Sequence, residues 1–104
     1  MSSEWWRHAC EGVDLSNAED PRRVPDGRGG ERAFELVYAD RVEHWVSLLI
    51  TTPSPELAFA CRALHVCRWQ VPRDLLPEGR AGYHAWRRKL TELHVSVARD
   101  VLAR

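Results

Sequence analysis

The sequence predicts an all-α protein, an orthogonal or antiparallel bundle of about four helices. Three observations carry that expectation. Apolar residues recur every three or four positions in four separate segments, proline-marked breaks near 51–55 and 71–77 divide the later segments, and no segment alternates with period two for long enough to demand a strand. The β-forming runs ELVY (35–38) and HVCRWQV (65–71) are where a strand would intrude.

The totals set bounds on the class. With 104 residues the chain reads as a single helical domain over 1–104, domains commonly running to about 100–150 residues. The hydrophobic fraction is 44%, and five tryptophans supplement it, each able to bury about 150–250 Å². Fifteen basic residues balance fifteen acidic ones, so no overall field draws the protein to nucleic acid or to an anionic membrane. No run approaches the roughly 18 apolar residues of a membrane span, and MSSEWWRHACEG lacks the basic-then-apolar layout of a signal peptide. A cytoplasmic or nuclear location is the expectation. Cys10, Cys61 and Cys67 show no CxxC spacing, and Cys61 and Cys67 would point to different sides of a helix. They read as reduced, small apolar residues of an intracellular protein.

Taken in order, the first helix runs from Ser3 to about Val13, with Ser2 or Ser3 capping it, Glu4 at the positive end of its dipole, and Trp6, Ala9, Cys10 and Val13 on one stripe. Residues 14–30, with two prolines, three glycines and dense charge, read as a long loop. The second helix spans Glu31 to Ile50 on Phe34, Val37, Tyr38, Val42, Trp45, Leu48 and Leu49, and its apolar end WVSLLI is expected at the centre of the core. Ser54 and Pro55 suit the start of a third helix reaching about Gln70. Leu57, Ala60, Cys61, Leu64 and Arg68 line one side of it, with His65 beside them. Val71-Pro72 ends it, since the residue before proline is pushed out of the helical region. PRDLLPEG makes a corner that Leu75 and Leu76 could plug. The last helix then covers Ala81 to Ala103 on Tyr83, Trp86, Leu90, Leu93, Val97, Val101 and Leu102.

Chemistry-bearing residues concentrate between Ala60 and Lys89, which hold six arginines, two tryptophans and two histidines around the corner. His65 and Arg68 are three apart, and Arg87 and His94 seven apart, so each pair shares a helix face. If the helices bring the pairs together, two neutral imidazoles, His65 and His94, could bind a divalent metal ion. Arg41, Arg68, Trp69, Arg73, Tyr83, Trp86 and Arg87 would surround a phosphate or carboxylate. The structural alternative has the arginines snorkelling from the core edge, stacking on Trp69 or Trp86 and pairing with Asp74, Glu78 or Glu92.

NAEDPRRV (17–24), ELVYADRVEHW (35–45) and above all RALHVCRWQVPRDLLPEGRAGYHAWRRKLTELH (62–94) resemble the uncharacterised family called domain of unknown function 4202. The resemblance covers about Ser16 to Leu102. The matching positions are Glu35, Leu36, Tyr38, Arg41, Trp45, His65, Arg68, Trp69, Pro72, Arg73, Gly82, Tyr83, Trp86, Arg87 and His94. Relatives look longer, with an acidic helical part following, so the resemblance implies that this chain is the front part of the family domain. The layout of Arg41 or His44 on one helix and an A-x-H centre, Ala63 to His65, on the next weakly resembles the metal-dependent HD phosphohydrolases. Those enzymes carry aspartate directly after the central histidine, where this chain has Val66.

Three functional readings follow. The first is a degenerate, HD-like phosphohydrolase assisted by a divalent metal on His65 and His94, with arginines holding phosphate. The second is a non-catalytic module binding a small phosphorylated or otherwise anionic ligand, a nucleotide or an RNA end, without a general nucleic-acid surface. The third is a structural or interaction domain whose uncovered helix face meets a second copy or another protein.

Overall fold

A computed structural model describes residues 4–104. Four helices, α1 (Glu4–Asn17), α2 (Phe34–Leu49), α3 (Pro55–Ala63) and α4 (Arg80–Ala103), pack against one another, with a hairpin of β1 (Arg23–Pro25) and β2 (Glu31–Ala33) between α1 and α2. The fold is all-α, as its periodicity predicts. The cap expected from Ser2 or Ser3 lies outside the described residues.

The core forms where α1, α3, the following turn and α4 meet. Ala9 and Val13 of α1, Phe59 and Ala63 of α3, Val66 and Cys67 of the turn, and Val101 of α4 make one buried cluster, with Cys10, Trp69, Leu93 and Val97 packed around it. All three cysteines are free.

The 14–30 stretch is ordered differently from the loop expected of it. Its first residues continue α1 to Asn17, and its later ones form an antiparallel hairpin pairing Arg23 with Ala33, Val24 with Arg32 and Pro25 with Glu31. Strands of three residues are too short to announce themselves by alternation. The turn between them is built by Asp26, whose Oδ1 accepts hydrogen bonds from the N–H groups of Arg28 and Gly30, while Gly27 and Gly29 take φ of 80° and 89°.

Helix α2 starts at Ala33, which has no capping side chain; Asp20 supplies one from across the hairpin. Its Oδ2 accepts from the N–H of Glu35 at 3.0 Å and its Oδ1 from that of Arg22 at 2.9 Å. The far end of α2 overturns the expectation for WVSLLI: Trp45 and Leu48 are each 64% exposed and Leu49 82%. The reason is where α3 crosses. Arg62 of α3, buried to 7% exposure, bonds Asp14 of α1 together with Asp40 and Glu43 of α2, so the helices meet at the middle of α2 and the apolar residues Trp45, Leu48 and Leu49 beyond it stand clear. An apolar pattern records that one face repeats; it does not record where a partner helix stops.

Helix α3 begins as expected, the Ser54 hydroxyl accepting from the N–H of Leu57 at 3.1 Å, but it ends at Ala63 rather than Gln70. Cys67 adopts φ 59° and ψ 24°, a left-handed conformation that stops the helix, and Oδ1 of the buried Asn17 accepts its N–H at 3.0 Å. The buried face accordingly carries Phe59, Cys61, Arg62, Ala63 and Val66, while Leu64 and Ala60 face outward. Single 3₁₀ turns at Arg68–Gln70 and Arg73–Leu75 form the corner. Leu75 is exposed there and only Leu76 is half-buried. Gly82 lets α4 approach this corner, since a Cβ at that position would lie 1.7 Å from the Pro77 carbonyl oxygen. Trp86 locks the approach by donating its indole N–H to the Val71 carbonyl at 2.8 Å.

Candidate functional site

The second turn of α2, the turn that follows α3 and the middle of α4 bring three rings into one column. Tyr38 of α2 stacks on His65, with centroids 4.2 Å apart and planes 12° apart, and His65 faces His94 of α4 at 6.1 Å and 26°. One helical turn before Tyr38, the buried Glu35 points Oε1 to within 3.9 Å of His65 Nδ1, too far for a hydrogen bond. Glu35 Oε1, His65 Nδ1 and His94 Nε2 are buried without a hydrogen-bond partner. Orphaned polar atoms of this kind are uncommon in native proteins and call for a specific explanation.

Their protonation follows from the surroundings. Burial, and then the Asp20 carboxylate, push Glu35 up from 4.5 to about 7, with Arg68 and Arg22 pulling the other way. Burial, with help from Arg68, His94 and Arg87, lowers His65 from 6.5 to about 4. Burial, Arg68 and Arg87 lower His94 as well. Both imidazoles are therefore neutral near pH 7, each with a lone pair able to accept a proton when a negative charge arrives.

Two recesses open at this place and share Arg68. The first, about 200 Å³, is lined by His65, Arg68, Arg87, Thr91 and His94 over Leu64 and Leu90. The second, about 330 Å³, has Arg68 in common with the first and is lined besides by Asp20, Arg22, Phe34, Glu35, Arg73 and Trp86. The guanidinium of Arg22 sits 4.1 Å over the Phe34 ring, and those of Arg68 and Arg73 sit 5.3 and 6.0 Å from the Trp86 ring centre. Arg73 is also committed to the corner, donating to the carbonyls of Leu76, Pro77 and Gly79. Among the described residues, Arg22, Arg68 and Arg87 form no ion pair.

Most of the residues expected at a site gather here. His65, His94, Arg68 and Arg87 share the first recess, and Arg68, Trp69, Arg73 and Trp86 the second. Arg41 and Tyr83 line neither. Arg41 is exposed in the middle of α2, and Tyr83 is 44% exposed, its ring 5.9 Å from that of Trp86. The structural alternative is half met: Arg68 and Arg73 do stack on Trp86, but neither pairs with Asp74, Glu78 or Glu92. Glu35, Tyr38 and Thr91 stand here too, and no local pattern in the sequence marks them for a site. A glutamate in the first turn of a helix reads as a partner of the dipole, and only the packing of α2 on the post-α3 turn makes it a neighbour of His65.

A metal ion needs donors that converge. Among the described residues no three His, Cys, Asp or Glu side chains stand close enough together to hold one, so the two imidazoles form an incomplete ligand set.

A family model described as Domain of unknown function (DUF4202) matches residues 7–104. No curated protein and no solved structure matches the chain.

Proposed function

The chain belongs to the DUF4202 family, and from that premise we propose that it binds a small phosphorylated ligand in the recess between the post-α3 turn and α4. The observation that carries the reading is the pairing of two guanidinium groups without ion-pair partners, Arg68 and Arg87, with two neutral imidazoles whose buried ring nitrogens have no partner. A phosphoryl group has the charge and the acceptor oxygens to satisfy all four, and protonation of His65 and His94 would convert them into donors. Thr91 at the rim adds a hydroxyl, and the 200 Å³ volume suits a phosphoryl group better than a larger moiety.

The test is titration with inorganic phosphate at low ionic strength, followed by tryptophan fluorescence, since Arg68 lies against Trp86. Binding should weaken with salt and as pH rises, because proton uptake by the imidazoles is part of it. Arg68→Ala and Arg87→Ala should each weaken it at least tenfold. Saturation unchanged in both variants would place phosphate elsewhere and end the reading.

A metal-assisted phosphohydrolase would occupy the same recess, using His65 and His94 as ligands and Arg68 and Arg87 on phosphate. The partnerless Glu35 oxygen 3.9 Å from His65 Nδ1 is the nearest carboxylate to that pair. A melting temperature raised by a divalent cation in the wild type but not in His94→Gln would favour it over binding alone.

A further inference from the structure

We propose that the ligand carries two anionic groups, one held by Arg68, Arg87, His65 and His94, the other held by Arg22 and Glu35 in the second recess that Arg68 also lines. This rests on the phosphate-binding reading above and names the class of molecule: a diphosphate, a bisphosphate, or a phosphate with a second acid close by. Three observations support it. Arg68 lines both recesses, so its guanidinium can bridge two groups of one ligand. Arg22, like Arg68 and Arg87, forms no ion pair among the described residues, and it is held over Phe34, where the ring fixes its position without neutralising it.

The third observation concerns the two acids that line the second recess. Asp20 has both oxygens engaged by the N–H groups of Arg22 and Glu35, so it acts as a cap. Glu35 is 4% exposed, and its Oε1 has no partner. An isolated carboxylate at such a position would repel an anion, whereas a carboxylic acid can donate its proton to one. The second recess, at about 330 Å³, is the larger, leaving room for a spacer between the two acidic groups.

The experiment compares pyrophosphate with orthophosphate on the whole chain by calorimetry, at fixed pH and ionic strength. Pyrophosphate should bind at least tenfold more tightly. Arg22→Ala should bring pyrophosphate down to the affinity of orthophosphate while leaving orthophosphate unchanged, and Arg68→Ala should weaken both. Arg104→Ala, at the exposed end of α4, controls for loss of one positive charge and should leave the ratio intact. Equal affinities for the two anions, or a ratio that falls as much in Arg104→Ala as in Arg22→Ala, would overturn the two-anion inference while orthophosphate binding stands. Absence of binding by either anion would instead remove the phosphate reading itself.

Discussion

Replacing Glu35 by glutamine tests the electrostatics of the site without any ligand. In the unfolded chain this carboxyl releases its proton near 4.5, and in the folded chain near 7, because it is buried beside Asp20. The folded state thus holds the proton more tightly, so the stability linked to Glu35 is fully present below pH 4.5 and is lost as pH rises through about 7. At 1.36 kcal/mol for each tenfold change in proton affinity, the loss amounts to about 3 kcal/mol. His65 works in the opposite sense. Lowered from 6.5 to about 4, its contribution is complete above 6.5 and is lost as pH falls through 4. The Glu35 slope opposes that of His65 between 4.5 and 6.5, and the lowered His94 adds to the His65 side, so wild-type stability should not fall there and should decline only toward neutral pH. Glu35→Gln removes one slope. Urea unfolding at several pH values from 5 to 8 should show the variant gaining on the wild type as pH rises, by about 2 kcal/mol or more across that range, whatever constant offset the amide introduces. A wild-type-to-variant difference that stays level over that interval would mean that Glu35 ionises normally, and the account of the buried site would fall.

Three further changes probe the framework. Gly82→Ala forces a Cβ to within 1.7 Å of the Pro77 carbonyl; the backbone of the corner must move, and chemical denaturation should show a loss of about 3 kcal/mol. Arg62→Met leaves Asp14, Asp40 and Glu43 facing one another without their shared cation, and should destabilise by about 3 kcal/mol, the low end for a broken buried pair because the acids are partly solvated. Asp40, which burial alone would raise but the hydrogen bonds from Arg62 and Arg32 hold low, should in that variant titrate at a higher pH by NMR. Leu49→Ser, at a residue 82% exposed, should change folding stability by no more than about 0.5 kcal/mol; a loss of several kcal/mol would show that the end of α2 is covered in solution.

The helical class, the Ser54 start of α3, the extent of α4 and the crowding of arginine, tryptophan and histidine at one corner all follow from local causes. Periodicity, capping and proline act over a few residues, so they are written in the order of the chain. So is the pairing of Arg87 with His94 on α4, whereas His65 and Arg68 come together across the turn that Cys67 makes beyond the end of α3. Where α3 stops depends on Asn17, fifty residues away, accepting the Cys67 N–H. Which half of α2 is buried depends on the crossing set by Arg62, and α2 is capped by Asp20 from beyond the hairpin. Whether a glutamate is a helix-dipole partner or the buried acid beside His65 depends on the same packing. The amino-acid order by itself determined the rods and the side chains they carry. Only the tertiary structure decided which of those side chains lose water together, because desolvation is a property of neighbours in space.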